Sequence, residues 1–253
     1  MKNRFARLLI LFVSVVSLVS CDHVTITTEN SDPSKKVEGN GKISSESREI
    51  TPFTSIKVIG FFNVILDQGE TPAVKVETDE NILPLVLTTV EDGVLTVQLK
   101  DSSSIGNAKK MNVYITLTDI NQLSTMGVGS VKCTSQLNIK DLKVSCEGVG
   151  ITNLNIAGEN LKIHSEVVGV LNLSGTEKNV SIDHSGVGVI AAFELKAEKL
   201  SLKTDGVGAA EVYASDEISI DASGIGSVKY KGGATKKHIK NDGVGKVVCG
   251  DCN

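Results

Sequence analysis

The sequence predicts an all-β protein whose single main domain is a right-handed parallel β-helix, a β-solenoid with about 19 residues per coil and about ten short rungs. Three observations predict this class. A Gly-Val-Gly triplet or a close variant recurs at nearly constant spacing, apolar and polar residues alternate around it, and Gly is abundant while aromatic residues make up only 4%. The triplets are centred on Val128, Val149, Val168, Val187, Val207, Ile225 and Val244.

Residues 1–20 have the pattern of a secretory signal, with a positively charged start before the apolar run Leu8–Val19. That run is too short to be a comfortable membrane span. The segment Leu18-Val19-Ser20-Cys21 resembles the lipobox of bacterial lipoproteins, which implies cleavage before Cys21 and acylation of this residue. A plain signal peptide with an accidental cysteine is the alternative. Residues 21–37 are predicted to be a polar tether that holds the folded domain away from the bilayer.

The first part of the folded domain, residues 38–123, lacks the triplet but alternates as strands do. The predicted strands are Ser55–Leu66, Ala73–Glu77, Gly93–Leu99 and Met111–Leu117. A short helical turn is predicted near Asp79–Leu87 and a mobile loop over Asp101–Lys110. Terminal coils of solenoids are atypical because they cap the stack, so we predict one domain over 38–250.

From residue 123 onward the triplets start 21, 19, 19, 20, 18 and 19 residues apart. An apolar residue stands four positions before each triplet and six positions before five of the seven, as Val144 and Leu142 do before Gly148. This period of two indicates strands with one buried face. We expect the middle residue of each triplet to point inward, with the glycines turning a tight corner. A leucine-rich repeat has a similar period, but its leucine spacing and helical half are missing.

These coils resemble the autotransporter-adhesin "head GIN" domain family. The resemblance also includes the segment Phe53-x-x-Ile56-x-Val58-x-Gly60-Phe61-x-x-Val64-x-Leu66 and covers about residues 38–250. Similar proteins are lipoproteins or exported proteins of Bacteroidetes-type bacteria. The resemblance implies a right-handed β-helix with an adhesive or envelope role, and it supplies no catalytic residues. Fold analogy alone does not establish function.

The strongest candidate for chemistry is a column of acidic residues that precede the triplets. It contains Glu147, Glu166, Asp205 and Asp242. If the coils stack in register, Glu147 and Glu166 lie about 5 Å apart, and clustered carboxylates are ligands that Ca²⁺ prefers. The alternative is a solvated outer face, since charges on exposed strands also deter aggregation. The same acids would serve a carbohydrate-active β-helix enzyme, a lyase or hydrolase.

One position further back, a column of small polar residues is predicted to point inward, including Cys146, Ser165 and His184. His184 is interpreted as a satisfied core histidine, whereas His164 should face outward. At the C-terminus, Cys249-Gly250-Asp251-Cys252 suggests a disulfide or free thiols, because an exported protein meets an oxidising environment. A zinc site would need two further ligands, so no metal site is predicted.

The favoured function is a lipid-anchored binding or structural module of the cell envelope without catalysis. The predicted location is the outer membrane, facing the periplasm or the cell surface, and a periplasmic maintenance protein is a further alternative. Predicted partners are the membrane, through the lipid on Cys21, and a protein or glycan ligand or a like subunit. A net charge of −4 without clustered cations excludes nucleic acid as a predicted partner. No cofactor is predicted.

Overall fold

The computed structural model describes residues 36–100 and 104–251. Over these residues the chain is a β-solenoid of about six turns with a mixed sheet at its N-terminal end. One 3-10 helix, Leu83–Leu85, falls within the described part. The strands are β1 Val37–Glu38, β2 Ile43–Arg48, β3 Ser55–Gln68, β4 Ala73–Asp79, β5 Val86–Glu91, β6 Val94–Leu99, β7 Ile105–Asn107, β8 Met111–Leu117, β9 Gln122–Cys133, β10 Leu137–Asn138, β11 Asp141–His184, β12 Val187–Thr204, β13 Val207–Ala222, β14 Ile225–Lys231, β15 Lys236–Asn241 and β16 Val244–Cys249.

The coils of the solenoid pair in parallel and keep the triplets in register. Gly148 lies opposite Gly127, and Gly188 lies opposite both Gly169 and Gly208. The same register continues through β14 to β16, where Ile225 lies opposite Val244. The triplet positions therefore form straight columns along the solenoid axis, at about 4.8 Å per coil. The predicted solenoid is confirmed.

The core of the solenoid consists of the inward columns. Leu142 and Val144 are buried, and so are their counterparts in later coils, such as Leu161, Ile163 and Ile182. Each such side chain contributes about 1.5–3 kcal/mol on burial. Because one coil cannot cover its own apolar side, this burial depends on the coils above and below.

The N-terminal half is irregular, as predicted, because its strands cap the stack. Strand β3 is the first rung, and its Gly60 and Phe61 lie opposite Gly127 and Val128 of β9. Its other edge pairs with β6 and β8, while β2, β4 and β5 join by antiparallel pairing. The prediction of about ten rungs was therefore too high, because these strands form no coils of their own.

Part of the predicted mobile loop is a strand. Ile105 and Asn107 pair with β1, so the prediction of a loop over Asp101–Lys110 was wrong for these residues. Asp79 fixes this region: it is buried, and its carboxylate accepts hydrogen bonds from the backbone N–H groups of Gly41 at 2.6 Å and Lys109 at 2.7 Å. The predicted strands Ala73–Glu77, Gly93–Leu99 and Met111–Leu117 are confirmed to within two residues.

The predicted signal segment, Cys21 and most of the tether lie outside the described residues, as do residues 101–103 and Cys252. None of the helices in the described ranges is both long and apolar enough to cross a membrane.

Candidate functional site: an exposed apolar ladder

The middle residues of the triplets lie on the outside of the solenoid. Their side chains are 46–73% exposed, so the prediction that they point inward was wrong. The alternation of the strand runs through the triplet without a change of phase. Cys146 is buried, so Gly148 takes the next inward position and Val149 points outward. We call this column the apolar ladder. Its members are Val128, Val149, Val168, Val187, Val207, Ile225 and Val244.

The glycines of the triplet are required by the close approach of neighbouring coils. A Cβ atom on Gly148 would fall on the carbonyl oxygen of Gly127, and one on Gly188 would fall on the carbonyl oxygen of Gly169. Gly148 also has φ +114°, a conformation that glycine adopts at no steric cost. Cavities of about 40 and 30 Å³ lie behind the two ends of the ladder, each with room for at least one water molecule.

The ladder is the centre of a wider apolar strip. Two residues after each ladder residue lies the trailing column, in which Ile151 and Val189 are also exposed. Met126 extends the strip at the N-terminal end, and Phe61 precedes Val128 in the ladder's own column. With six intervals of about 4.8 Å, the ladder is roughly 29 Å long. Scattered exposed valines need no explanation, but a continuous exposed apolar row is typical of a contact site.

The acidic column borders this strip and is exposed throughout. A hydrogen bond of 3.0 Å joins the Glu166 carboxylate to Nε2 of His164, and Lys240 Nζ donates to Asp242 at 2.6 Å. The bond to Asp242 raises the pKa of Lys240. In residues 36–100 and 104–251, no three His, Cys, Asp or Glu residues cluster as metal ligands would. Cation binding by Glu147, Glu166, Asp205 and Asp242 stays a prediction.

The column of small polar residues points inward, as predicted. Cys146, Ser165 and His184 are buried, and Nδ1 of His184 lies 3.3 Å from the Ser165 hydroxyl. Burial lowers the pKa of His184, so its imidazole is neutral at pH 7. His184 is thus a core histidine, whereas His164 faces outward beside Glu166.

The cysteines fall into two groups. Cys133 and Cys146 are free thiols, and burial raises the pKa of Cys133. Cys249 is disulfide-bonded. Because Cys252 lies outside the described residues, a Cys249–Cys252 disulfide stays a prediction.

Sequence reasoning missed one ionisable group, Glu177. It is 3% exposed, and neither carboxylate oxygen has a hydrogen-bond partner among the described residues. Burial raises its pKa to about 7. Glu177 lies in a turn-like segment where an exposed side chain is expected. The register shift between Asn172 and Ser174, which alters the pairing just before it, leaves no pattern in the sequence.

Comparisons with known proteins agree with this architecture. A family model described as "Putative auto-transporter adhesin, head GIN domain" matches residues 52–234. A solved structure of a "putative adhesin" from Bacteroides fragilis NCTC 9343 is similar with a TM-score of 0.81 and 28% identity, covering 84% of this chain and 99% of that one. No curated protein matches the chain significantly.

Two more distant structures share the fold. A "putative lipid binding protein" from Parabacteroides distasonis ATCC 8503 has a TM-score of 0.66 at 20% identity, over 85% of this chain and 99% of that one. A "putative adhesin" from Parabacteroides merdae ATCC 43184 has a TM-score of 0.65 at 22% identity, with the same coverage. At these identities the likeness shows the fold alone.

Proposed function

Because the chain belongs to the family described as "Putative auto-transporter adhesin, head GIN domain", we propose that it is an exported, non-catalytic module that works by binding at the cell envelope. The observation that carries this proposal is the apolar ladder. A rigid solenoid holds seven β-branched side chains in one exposed row, where they add nothing to the core. Exposing this much apolar surface has a cost in solubility, and a binding partner that covers it removes that cost.

We also propose that the module is attached to a membrane by a lipid on Cys21. The support comes from the sequence: a charged start, an apolar run, the segment Leu18-Val19-Ser20-Cys21 and a polar stretch before the first strand. Stable anchoring takes more than one acyl chain, which a fully processed lipoprotein carries.

The arrangement of the acidic residues supports binding rather than catalysis. A glycoside hydrolase or lyase needs an acid and a base that converge on one bond. Here Glu166 and Asp242 are each paired with a basic residue two positions away in the chain. The pKa of Glu177 is raised, but by burial inside the core and away from the acidic column.

The test is photo-cross-linking in cells that make the full chain, from a photoreactive residue placed at Ser185 beside the ladder. The variant V168T/V187T/V207T keeps the side-chain shape but adds a hydroxyl to each of three central rungs. We expect it to stay in the membrane fraction and to lose the cross-links of the wild type. The matched control S181T/S201T, on a polar face, should keep them.

Two results would count against the proposal. Undiminished cross-linking in V168T/V187T/V207T would show that the ladder is not the contact surface. The lipid anchor would be disproved if a Cys21→Ala variant stays in the membrane fraction and the wild type incorporates no labelled palmitate. The two parts are thus tested separately.

A further inference from the structure

We propose that a groove on a polar face of the solenoid binds an acidic glycan, an extended oligosaccharide whose anionic groups lie between Lys143 and Lys162. The two rows of side chains that border this groove stand six and eight residues before the apolar ladder in each coil. The groove is therefore a second site, and the inference does not depend on the proposed contact surface.

Two rows of outward side chains form the groove along the solenoid axis. An inward residue separates the rows in every coil, and Leu142, Leu161 and Val180 at this position are buried, so the backbone there forms the floor. The row on one side, the amide row, contains Asp141, Asn160, Asn179, Lys199 and Glu217. The row on the other side, the lysine–serine row, contains Lys143, Lys162, Ser181, Ser201 and Ser219.

The groove is continuous over five coils. It consists of two hollows of about 390 and 220 Å³, and Asn179 and Val180 line both of them. Four intervals of about 4.8 Å make it roughly 19 Å long. The volume of the larger hollow lies in the range of small-molecule sites, and the length suits a short, extended oligosaccharide.

The amide row is held in place by its own hydrogen bonds. Nδ2 of Asn160 donates to the Asp141 carboxylate at 2.6 Å, and Nδ2 of Asn179 donates to Oδ1 of Asn160 at 2.9 Å. An amide nitrogen carries two N–H groups, so each asparagine keeps one that can donate to a ligand. Side chains that are already fixed lose little conformational freedom on binding. The amide row is thus a preorganised set of donors.

The lysine–serine row places two like charges next to each other. Lys143 and Lys162 occupy the same position in successive coils, and both are exposed. In the part of the chain that the structure describes, neither forms an ion pair with a carboxylate, whereas Lys203 on the same face lies 4.0 Å from Asp183. Like charges directly opposite each other on paired strands are unfavourable. An anion bound between the two lysines removes this repulsion.

The groups that line the groove are mainly donors: ammonium, amide and hydroxyl groups. An acidic glycan offers the matching acceptors, because its anions can bind the lysines and its hydroxyl groups can exchange hydrogen bonds with Ser181, Ser201 and Ser219. A peptide strand adds to a sheet at an open edge, but here the floor already pairs with the coils on both sides. These contacts favour a glycan over an acidic peptide.

Calorimetric titration of the full chain in detergent tests the proposal, with pentagalacturonate as the acidic probe and maltopentaose as its neutral counterpart. We expect pentagalacturonate to bind, and to bind more weakly as NaCl is added, because salt screens exposed charges. The variant K143Q/K162Q keeps the length of both side chains and should raise the dissociation constant about tenfold. The matched control K42Q/K132Q removes the same charge outside the groove and should bind as the wild type does.

A second pair of variants tests the amide row. Asn179→Ala removes a donor from the middle of the groove and should raise the dissociation constant severalfold. Asn172→Ala removes a similar bond, the one that Asn172 donates to Asn153 at 2.6 Å on another face, and should have no effect. The ladder variant V168T/V187T/V207T should also bind pentagalacturonate normally, so a failure of the ladder proposal is distinguishable from a failure of this one.

Four results would overturn the proposal. Pentagalacturonate might fail to bind the wild type, or bind K143Q/K162Q equally well. Maltopentaose that binds as tightly would show that the lysines do not select the ligand. A pentaglutamate peptide that binds as tightly would show that the groove does not select a glycan. Inorganic sulfate that displaces pentagalacturonate at an equal concentration would show a site for a simple anion.

Discussion

At the scale of single residues, the phase of the alternation decides what each side chain does. Val144 and Val149 are both β-branched and apolar, yet the first is buried and the second is about half exposed. Hydrophobicity alone predicts the inner position for both. Counting by twos through the glycines places Val149 outside, because Gly148 and Gly150 occupy the two inward positions on either side of it.

The glycines next to the ladder should tolerate no side chain. Gly188→Ala would place a Cβ atom on the carbonyl oxygen of Gly169, and the two coils would have to separate. We expect a loss of about 2–4 kcal/mol in the free energy of unfolding, in line with strain at a special backbone position. Val187→Ala, which removes exposed atoms, should change it by less than about 0.5 kcal/mol. Urea denaturation measures both, and equal stability of the two variants would contradict this role for Gly188.

Glu177 should make stability depend on pH. Burial raises its pKa from 4.5 to about 7 in the folded state. Between these values the unfolded chain releases the proton and the folded chain keeps it, so the free energy of unfolding falls as the pH rises. Above pH 7 the buried charge lowers the free energy of unfolding by about 3 kcal/mol, and below pH 4.5 this loss is absent.

The variant Glu177→Gln isolates this effect. It keeps the size of the side chain and removes the charge, so it should be more stable than the wild type at pH 8 and should lose the Glu177 contribution to the pH dependence. Denaturant unfolding at pH 5, 6.5 and 8 measures this. A wild type whose stability rises over this range, together with an unstable Glu177→Gln variant, would show that the carboxylate is charged and paired.

At the scale of elements, the N-terminal cap depends on one buried carboxylate. Asp79, at the end of β4, holds the backbone N–H groups of Gly41 and Lys109, and these lie beside β1 and β7. Asp79→Ala leaves both donors without this partner, and we expect a loss of about 2–4 kcal/mol in local stability. Hydrogen exchange should become faster over residues 37–42 and 105–110 and stay unchanged in β12. Exchange that becomes faster by the same factor in β12 as in residues 37–42 and 105–110 would contradict a local role for Asp79.

Elements differ in how far the sequence predicts them. The strands of the solenoid follow from the spacing of residues such as Leu161 and Ile163, because a buried face needs an apolar residue at every second position. Strand β7 could not be predicted, since Ile105 and Asn107 show no alternation and pair with only two residues of β1. The pairing of β2, β4 and β8 depends on contacts between distant segments, which local patterns do not specify.

At the scale of the whole molecule, the repeat that defines the fold also produces its main surface feature. The glycines allow the coils to approach, and the residue between them is left outside, so stacking coils necessarily builds an external row. The repeat predicted a row formed by the middle residues of the triplets, but these residues were expected in the core. The contact site was missed for that reason. The acidic column drew attention by its charge, although two of its members are paired with basic residues of their own chain.

The central claim is that the apolar ladder is surface, available for contact, and no part of the core. The most direct test is the free energy of unfolding of Val187→Lys, measured by denaturant titration of the full chain in detergent and compared with Leu202→Lys. Leu202 is 1% exposed. We predict that Val187→Lys stays within about 0.5 kcal/mol of the wild type, while Leu202→Lys unfolds the domain. A loss of more than about 3 kcal/mol in Val187→Lys would place the ladder in the core and contradict the account.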